Sequence, residues 1–154
     1  MDTFEYRDKT LFCENIKIED IISEVGTPAY IYSKNAILAR YHELKTAFGD
    51  VDTLICFSVK SNSNLSICKI LAEAGSGFDV VSGGELFRAI KAGGDPSRIV
   101  FAGVGKTDRE IRYALKNNIL MFNVESPAEL YHINSLAGEA GKVAKVALRI
   151  NPDI

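Results

Sequence analysis

The 154 residues are 47% apolar and 25% charged, with 18 basic side chains against 20 acidic ones and a formal charge of −2. That balance describes an ordinary core-forming domain and argues against a nucleic-acid-binding one, which needs a clustered basic surface. A mean hydropathy of +0.04 and the lack of any apolar run near twenty residues exclude a membrane-spanning helix.

The first fifteen residues, MDTFEYRDKTLFCEN, mix acids and bases with no apolar stretch, so no secretory signal is read there. A soluble cytoplasmic protein is expected. After Thr27-Pro28, residues 29–32 (AYIY) read as a short strand. Ser33 then caps a helix bearing Ile37, Leu38, Tyr41 and Leu44, stopped at Gly49.

From residue 54 a pattern repeats. Apolar runs occupy residues 54–59 (LICFSV), 78–82 (FDVVS), 99–103 (IVFAG), 120–124 (LMFNV) and 144–150 (AKVALRI), with starts 24, 21, 21 and 24 residues apart. Short apolar runs rich in β-branched residues, alternating with helix-sized segments, mark βα units and a parallel sheet. The near-constant spacing favours a (β/α) barrel over an irregular α/β fold.

The intervening segments carry helix signals. Leu65, Cys68, Leu71 and Ala72 form one apolar stripe, ended by Gly75, and residues 85–92 form a short helix. Thr107-Asp108-Arg109-Glu110 is a capping box ahead of Ile111, Ala114 and Leu115. Ser126-Pro127-Ala128-Glu129 repeats the device, with Pro at the first helical position and a stop at Gly138. Five strands, or six with AYIY, are too few for an eight-stranded barrel of about 250 residues. The chain therefore reads as a partial (β/α)8 TIM-type barrel, roughly its first half.

Three polar residues stand out against this frame. Lys60 directly follows LICFSV, at the carboxyl end of a strand, where α/β barrels place their chemistry. Lost hydration there would favour the neutral amine, the nucleophile for a Schiff base; the plainer alternative is a lysine snorkelling from a strand end. Asp79 and Arg149 each place a charge inside an apolar strand, so each needs a partner or an open end to face. Directed into one barrel mouth, the three would make a site; paired off, Asp79 and Arg149 would be structural.

Other motifs carry less. Gly103-Val104-Gly105-Lys106-Thr107 lacks the first glycine of a nucleotide phosphate loop, since that position is Val100. Ser82-Gly83-Gly84 opens a helix and could approach a phosphate, though a tight turn explains it as well. Cys13, Cys56 and Cys68 form no C-x-x-C and lie at no metal-ligand spacing from His42 or His132, so they read as reduced packing thiols, with no metal site. Both histidines fall in helical segments and are expected at the surface.

The words FSVKSNSN, GSGFDVVSGGEL, IVFAGVGKTDREI, FNVES and LRINPDI, with GTPAYIYS upstream, resemble the N-terminal half of the diaminopimelate decarboxylase family. These are alanine-racemase-like, fold-type III enzymes dependent on pyridoxal phosphate, and the resemblance covers about residues 26–154. Ornithine and arginine decarboxylases share the lysine and the GFD strand but are less similar at GVGKT and FNVES. The resemblance implies that Lys60 bonds covalently to pyridoxal phosphate, that Asp79 lies close to that lysine and the cofactor, and that Arg149 lies near the cofactor's phenolic side. It further implies decarboxylation of meso-diaminopimelate to L-lysine and CO2, in a homodimer whose barrel joins a β-rich C-terminal domain.

By the same resemblance, residues 1–25 form an N-terminal segment packing partly with that C-terminal domain, and 26–154 form half of the cofactor-binding barrel. The family's phosphate loop, its ring-stacking histidine and its EPGR segment lie past the residues matched. A piece without them is expected to be inactive alone. Two alternatives remain: an ornithine- or arginine-type decarboxylase, and a non-catalytic fragment that binds a partner barrel.

Overall fold

The computed structural model describes residues 3–152, in two compact units, 1–51 and 52–154. In the first unit, β1 (Phe4–Arg7), β2 (Thr10–Cys13) and β3 (Ile16–Lys17) form an antiparallel meander, followed by α1 (Ile18–Val25) and α2 (Lys34–Ala47). The β1–β2 turn is the pair Asp8-Lys9, with φ of +46° and +67°. Positive φ at both central residues matches the right-handed twist of a hairpin. Glu14, just past β2, ties the meander to α2: it accepts from Ser33 Oγ at 2.6 Å and from the Asn35 backbone N–H at 3.0 Å. Ser33 in turn caps α2 by accepting from the Ala36 N–H. The Ser33 hydroxyl, then the Asn35 N–H, holds the Glu14 carboxyl below its usual pKa.

The expected strand at residues 29–32 is not formed. This stretch follows a cis Thr27–Pro28 bond and belongs to neither sheet among the described residues. A β-branched, aromatic tetrapeptide has the propensity for a strand, but propensity expresses itself only where a ladder partner supplies the hydrogen bonds.

The second unit is the repeat predicted from spacing. Strands β4 (Cys56–Ser58), β5 (Gly77–Val80), β6 (Ile99–Phe101), β7 (Met121–Val124) and β8 (Val146–Leu148) pair in sequence order, all parallel. Helices α3 (Leu65–Glu73), α4 (Gly83–Lys91), α5 (Asp108–Asn117) and α6 (Pro127–Glu139) connect them. Each βα loop carries a cap on the following helix: Asn64, Ser82, Thr107 and Ser126 all accept a backbone N–H from the first turn. Helix α6 runs through the expected stop at Gly138 to Glu139, and the left-handed position falls instead on Gly141, at φ +62°.

Alternation along the strands gives the sheet two faces. Phe78, Val80, Ile99, Phe101, Phe122 and Val124 are fully or almost fully buried and form one cluster with Leu86 and Ala89 of α4, Ile111 and Leu115 of α5 and Ile133 and Leu136 of α6. The opposite parity places Ser58, Asp79, Val100 and Met121 in one ladder row, all only half-buried. Close approach fixes one glycine at the far end of the sheet: a Cβ on Gly77 would lie 2.4 Å from the Arg98 carbonyl oxygen.

Candidate functional site

The half-open row leads to the carboxyl end of the sheet, and Lys60 stands there. It occupies the 3-10 turn Val59–Ser61 directly after β4, and its side chain is exposed. The expected loss of hydration is therefore absent, because the turn lifts Lys60 off the strand end while Val59 takes the buried position. No other described side chain hydrogen-bonds to the Lys60 amine.

Asp79 lies on the neighbouring strand, its Cα opposite that of Ser58, two residues before Lys60. Ser58 Oγ donates to Asp79 Oδ2 at 3.1 Å. The half-buried carboxylate has no cationic partner within ion-pair distance among the described residues, so it is not half of a structural ion pair. The sheet thus places Asp79 on β5 and Lys60 on the turn that follows β4, the strand paired with it.

Arg149 shares their end of the sheet but follows β8, the opposite edge, three strands from Asp79. Its backbone N–H extends the ladder to the Val124 carbonyl at 2.8 Å. Its guanidinium is 59% exposed and pairs with Glu125 at 3.4 Å. Within this sheet it joins neither Lys60 nor Asp79.

The rim around these residues is built from three glutamates at the third position of successive helices. Glu85 accepts from the Val81 N–H at 2.9 Å. Glu110 closes its capping box on Thr107 and also accepts the Gly83 N–H of the neighbouring helix at 2.7 Å. Burial alone would raise the Glu110 carboxyl, but hydrogen bonds from Gly83 and Thr107 outweigh it and the net shift is downward. Gly83 is held against this carboxylate, since a Cβ there would lie 3.0 Å from Glu110 Cγ. The Gly83 N–H is thus already engaged and offers no donor to a phosphate.

Glu129 departs from the simple capping box expected of it. One oxygen accepts the Glu125 N–H at 2.8 Å, and the other meets Lys106 Nζ at 2.6 Å. Lys106, whose side chain is only 1% exposed, donates its remaining protons to the carbonyls of Gly103 at 2.7 Å and Asn123 at 2.8 Å. The lysine of GVGKT is thus a buried clamp joining the ends of β6 and β7 to α6, and its three donors are satisfied without a phosphate. Sequence reasoning missed this role because Glu129 lies 23 residues away; the only local signal was a Gly-x-Gly-Lys with no room for a nucleotide.

The remaining expectations concern packing. Cys13 and Cys68 are buried and Cys56 half-buried, all three free, and burial pushes each thiol's pKa up. They are inert packing groups, as expected. His42 and His132 are exposed, and His132 contacts Asp108 at 2.8 Å. No cluster of potential metal ligands occurs among the described residues. No helix among them is long and apolar enough to cross a membrane.

The site thus sets a free amine on the turn after one parallel strand and a carboxylate on the next strand. Residues 34–154 match the model of the pyridoxal-dependent decarboxylase family's pyridoxal binding domain. The chain belongs to the pyridoxal-dependent decarboxylases. The diaminopimelate decarboxylase of Haemophilus influenzae is 47% identical over 154 residues, covering all of this chain and 37% of that protein. A solved structure from Aquifex aeolicus aligns with a TM-score of 0.93 and 49% identity, over 98% of this chain and 37% of that one. The diaminopimelate decarboxylase of M. jannaschii, solved in complex with L-lysine, gives a TM-score of 0.92 and 37% identity, over 99% of this chain and 37% of that one. The chain therefore spans a little over a third of the relatives it matches, and its sheet is their N-terminal, partial barrel. The family's cofactor is pyridoxal phosphate.

Proposed function

We propose that this chain is the lysine-bearing half of the active site of a carboxy-lyase that converts meso-diaminopimelate to L-lysine and CO2. The observation that carries the reading is the placement of a free Lys60 amine on the turn after β4 and of the Asp79 carboxylate on β5, the strand paired with β4. Two relatives named diaminopimelate decarboxylase, at 47% and 37% identity, support the substrate. By the same reading, residues 26–154 belong to the barrel, and the whole protein is a cytoplasmic homodimer taking a small amino-acid substrate.

The residues fit the cofactor at its aldehyde end. Lys60 offers a primary amine engaged by no other described side chain, which is the nucleophile an aldehyde needs. Asp79 presents Oδ2 to Ser58 and keeps Oδ1 for a group on the open face. Arg149, from the far edge, supplies a guanidinium held by Glu125, suited to a phenolic oxygen. When bound, pyridoxal phosphate supplies the electron sink for the pair left by departing CO2. The Lys106–Glu129 clamp ties the ends of β6 and β7 to α6.

The test is borohydride reduction of the purified chain after incubation with pyridoxal phosphate, followed by peptide mapping. A single adduct on Lys60 is expected, while CO2 release from diaminopimelate by the 154-residue chain stays at background. Adducts scattered over several exposed lysines would overturn the assignment of Lys60.

A further inference from the structure

Lys60 and Asp79 are both tied to one residue. Ser58 ends β4, and its Cα is paired with that of Asp79 in the parallel ladder. Its hydroxyl donates to Asp79 Oδ2 at 3.1 Å. Its carbonyl accepts from Ser61 Oγ at 2.6 Å, which closes the turn that carries Lys60. The Ser58 side chain therefore reaches Asp79 itself, and the Ser58 carbonyl reaches the turn that carries Lys60.

A carboxylate on the half-open face of a sheet can rotate about two side-chain torsions. A hydrogen bond to one of its oxygens removes most of that freedom and fixes where the other oxygen points. The Ser61 bond does the same for the backbone that launches Lys60. We infer that Ser58 is a positioning residue: it fixes the direction of the Asp79 carboxylate relative to the Lys60 amine, and so directs cofactor capture to Lys60. This rests on the reading of Lys60 and Asp79 as cofactor residues. Ser58 contributes no reacting atom; its hydroxyl acts through Asp79, while the carbonyl that closes the turn is kept in every variant.

Three substitutions in the full chain separate positioning from folding. Ser58→Ala removes the hydroxyl, Ser58→Cys keeps its shape with a weak donor, and Ser58→Thr retains the hydroxyl. Each is incubated with pyridoxal phosphate, reduced with borohydride at a series of pH values, and mapped for the share of adduct on Lys60. Thermal midpoints are measured beside them.

Ser58→Ala and Ser58→Cys are expected to lower the Lys60 share about three- to tenfold, the range set by one hydrogen bond. Ser58→Thr restores it, and the three midpoints stay close to the parent's. A Lys60 share unchanged in both Ser58→Ala and Ser58→Cys overturns the role of Ser58 while leaving the assignment of Lys60 intact. A fall in all three variants that follows their midpoints overturns it in favour of a structural role. A parent chain that shows no preference for Lys60 overturns the underlying reading, and this inference with it.

Discussion

The two faces of the five-stranded sheet are made from the same strands, one residue out of step, and they have opposite characters. The face toward the helices is a continuous row of Phe78, Ile99, Phe101 and Phe122 with no polar side chain among them. The other face alternates with it and carries Ser58, Asp79, Val100 and Met121, half-exposed. Burial of apolar area is the main favourable term in folding, so stability resides on the first face. The second is free to carry a hydroxyl and a carboxylate because the fold does not depend on it. A strand can serve both ends because its period of two separates them completely.

The largest expected effect lies on the helix-covered face. Phe101 is fully buried and stacks on Phe122 with ring centroids 6.1 Å apart. Phe101→Ala removes that packing and leaves a cavity that the rigid sheet cannot close, at a cost of roughly 3–5 kcal/mol. Urea unfolding of the parent and the variant measures it. A loss under about 1 kcal/mol would break the comparison, because the covered face would then not be the seat of stability.

Much of this division was legible in the sequence. Spacings of 24, 21, 21 and 24 residues identified five strands, and the capping residues Thr107 and Ser126 located two helix starts. These signals are local, as are the left-handed ends at Gly49 and Gly75. The first three strands were not read, because runs of two to four residues give too few alternations to count. Their first turn also lacks the Asn-Gly or Asp-Gly pair that would mark it. Residues 29–32 were read as a strand from composition, which cannot report whether a partner is at hand. Lys60 and Asp79 were picked out by position, but the bond from Ser58 and the exposure of Lys60 depend on register and turn geometry. The clamp at Lys106 depends on a carboxylate two elements later.

The rim between the two faces supplies the next effect, and it depends on pH. Glu110 joins the starts of α4 and α5 through the Gly83 and Thr107 N–H groups, and its folded pKa lies below the unfolded one. A depressed carboxyl contributes stability that is fully present above the unfolded value, near 4.5, and is lost as the pH falls through the folded value. Glu110→Gln is expected to cost about 1 kcal/mol or less at neutral pH, discounted because the carboxylate is partly solvated. The gap between parent and variant should shrink as urea titrations are moved below pH 4.5. A gap that is constant with pH would mean that shape rather than charge holds the two helices.

The smallest effect on stability is expected where the effect on function is greatest. Asp79→Asn keeps the size of the side chain, and its amide oxygen can still accept from Ser58, so only the charge is lost. No cation within ion-pair distance among the described residues loses a partner, and the open face contributes little to folding. The change in unfolding free energy is expected to stay within about 0.5 kcal/mol. In the same variant, capture of pyridoxal phosphate at Lys60 should fall, because the neighbouring carboxylate is gone while the amine and its turn are intact. Borohydride mapping and urea unfolding on one preparation read both quantities. A drop in stability of more than about 2 kcal/mol, with labelling unchanged, would place Asp79 among the structural residues and erase the functional distinction between the two faces.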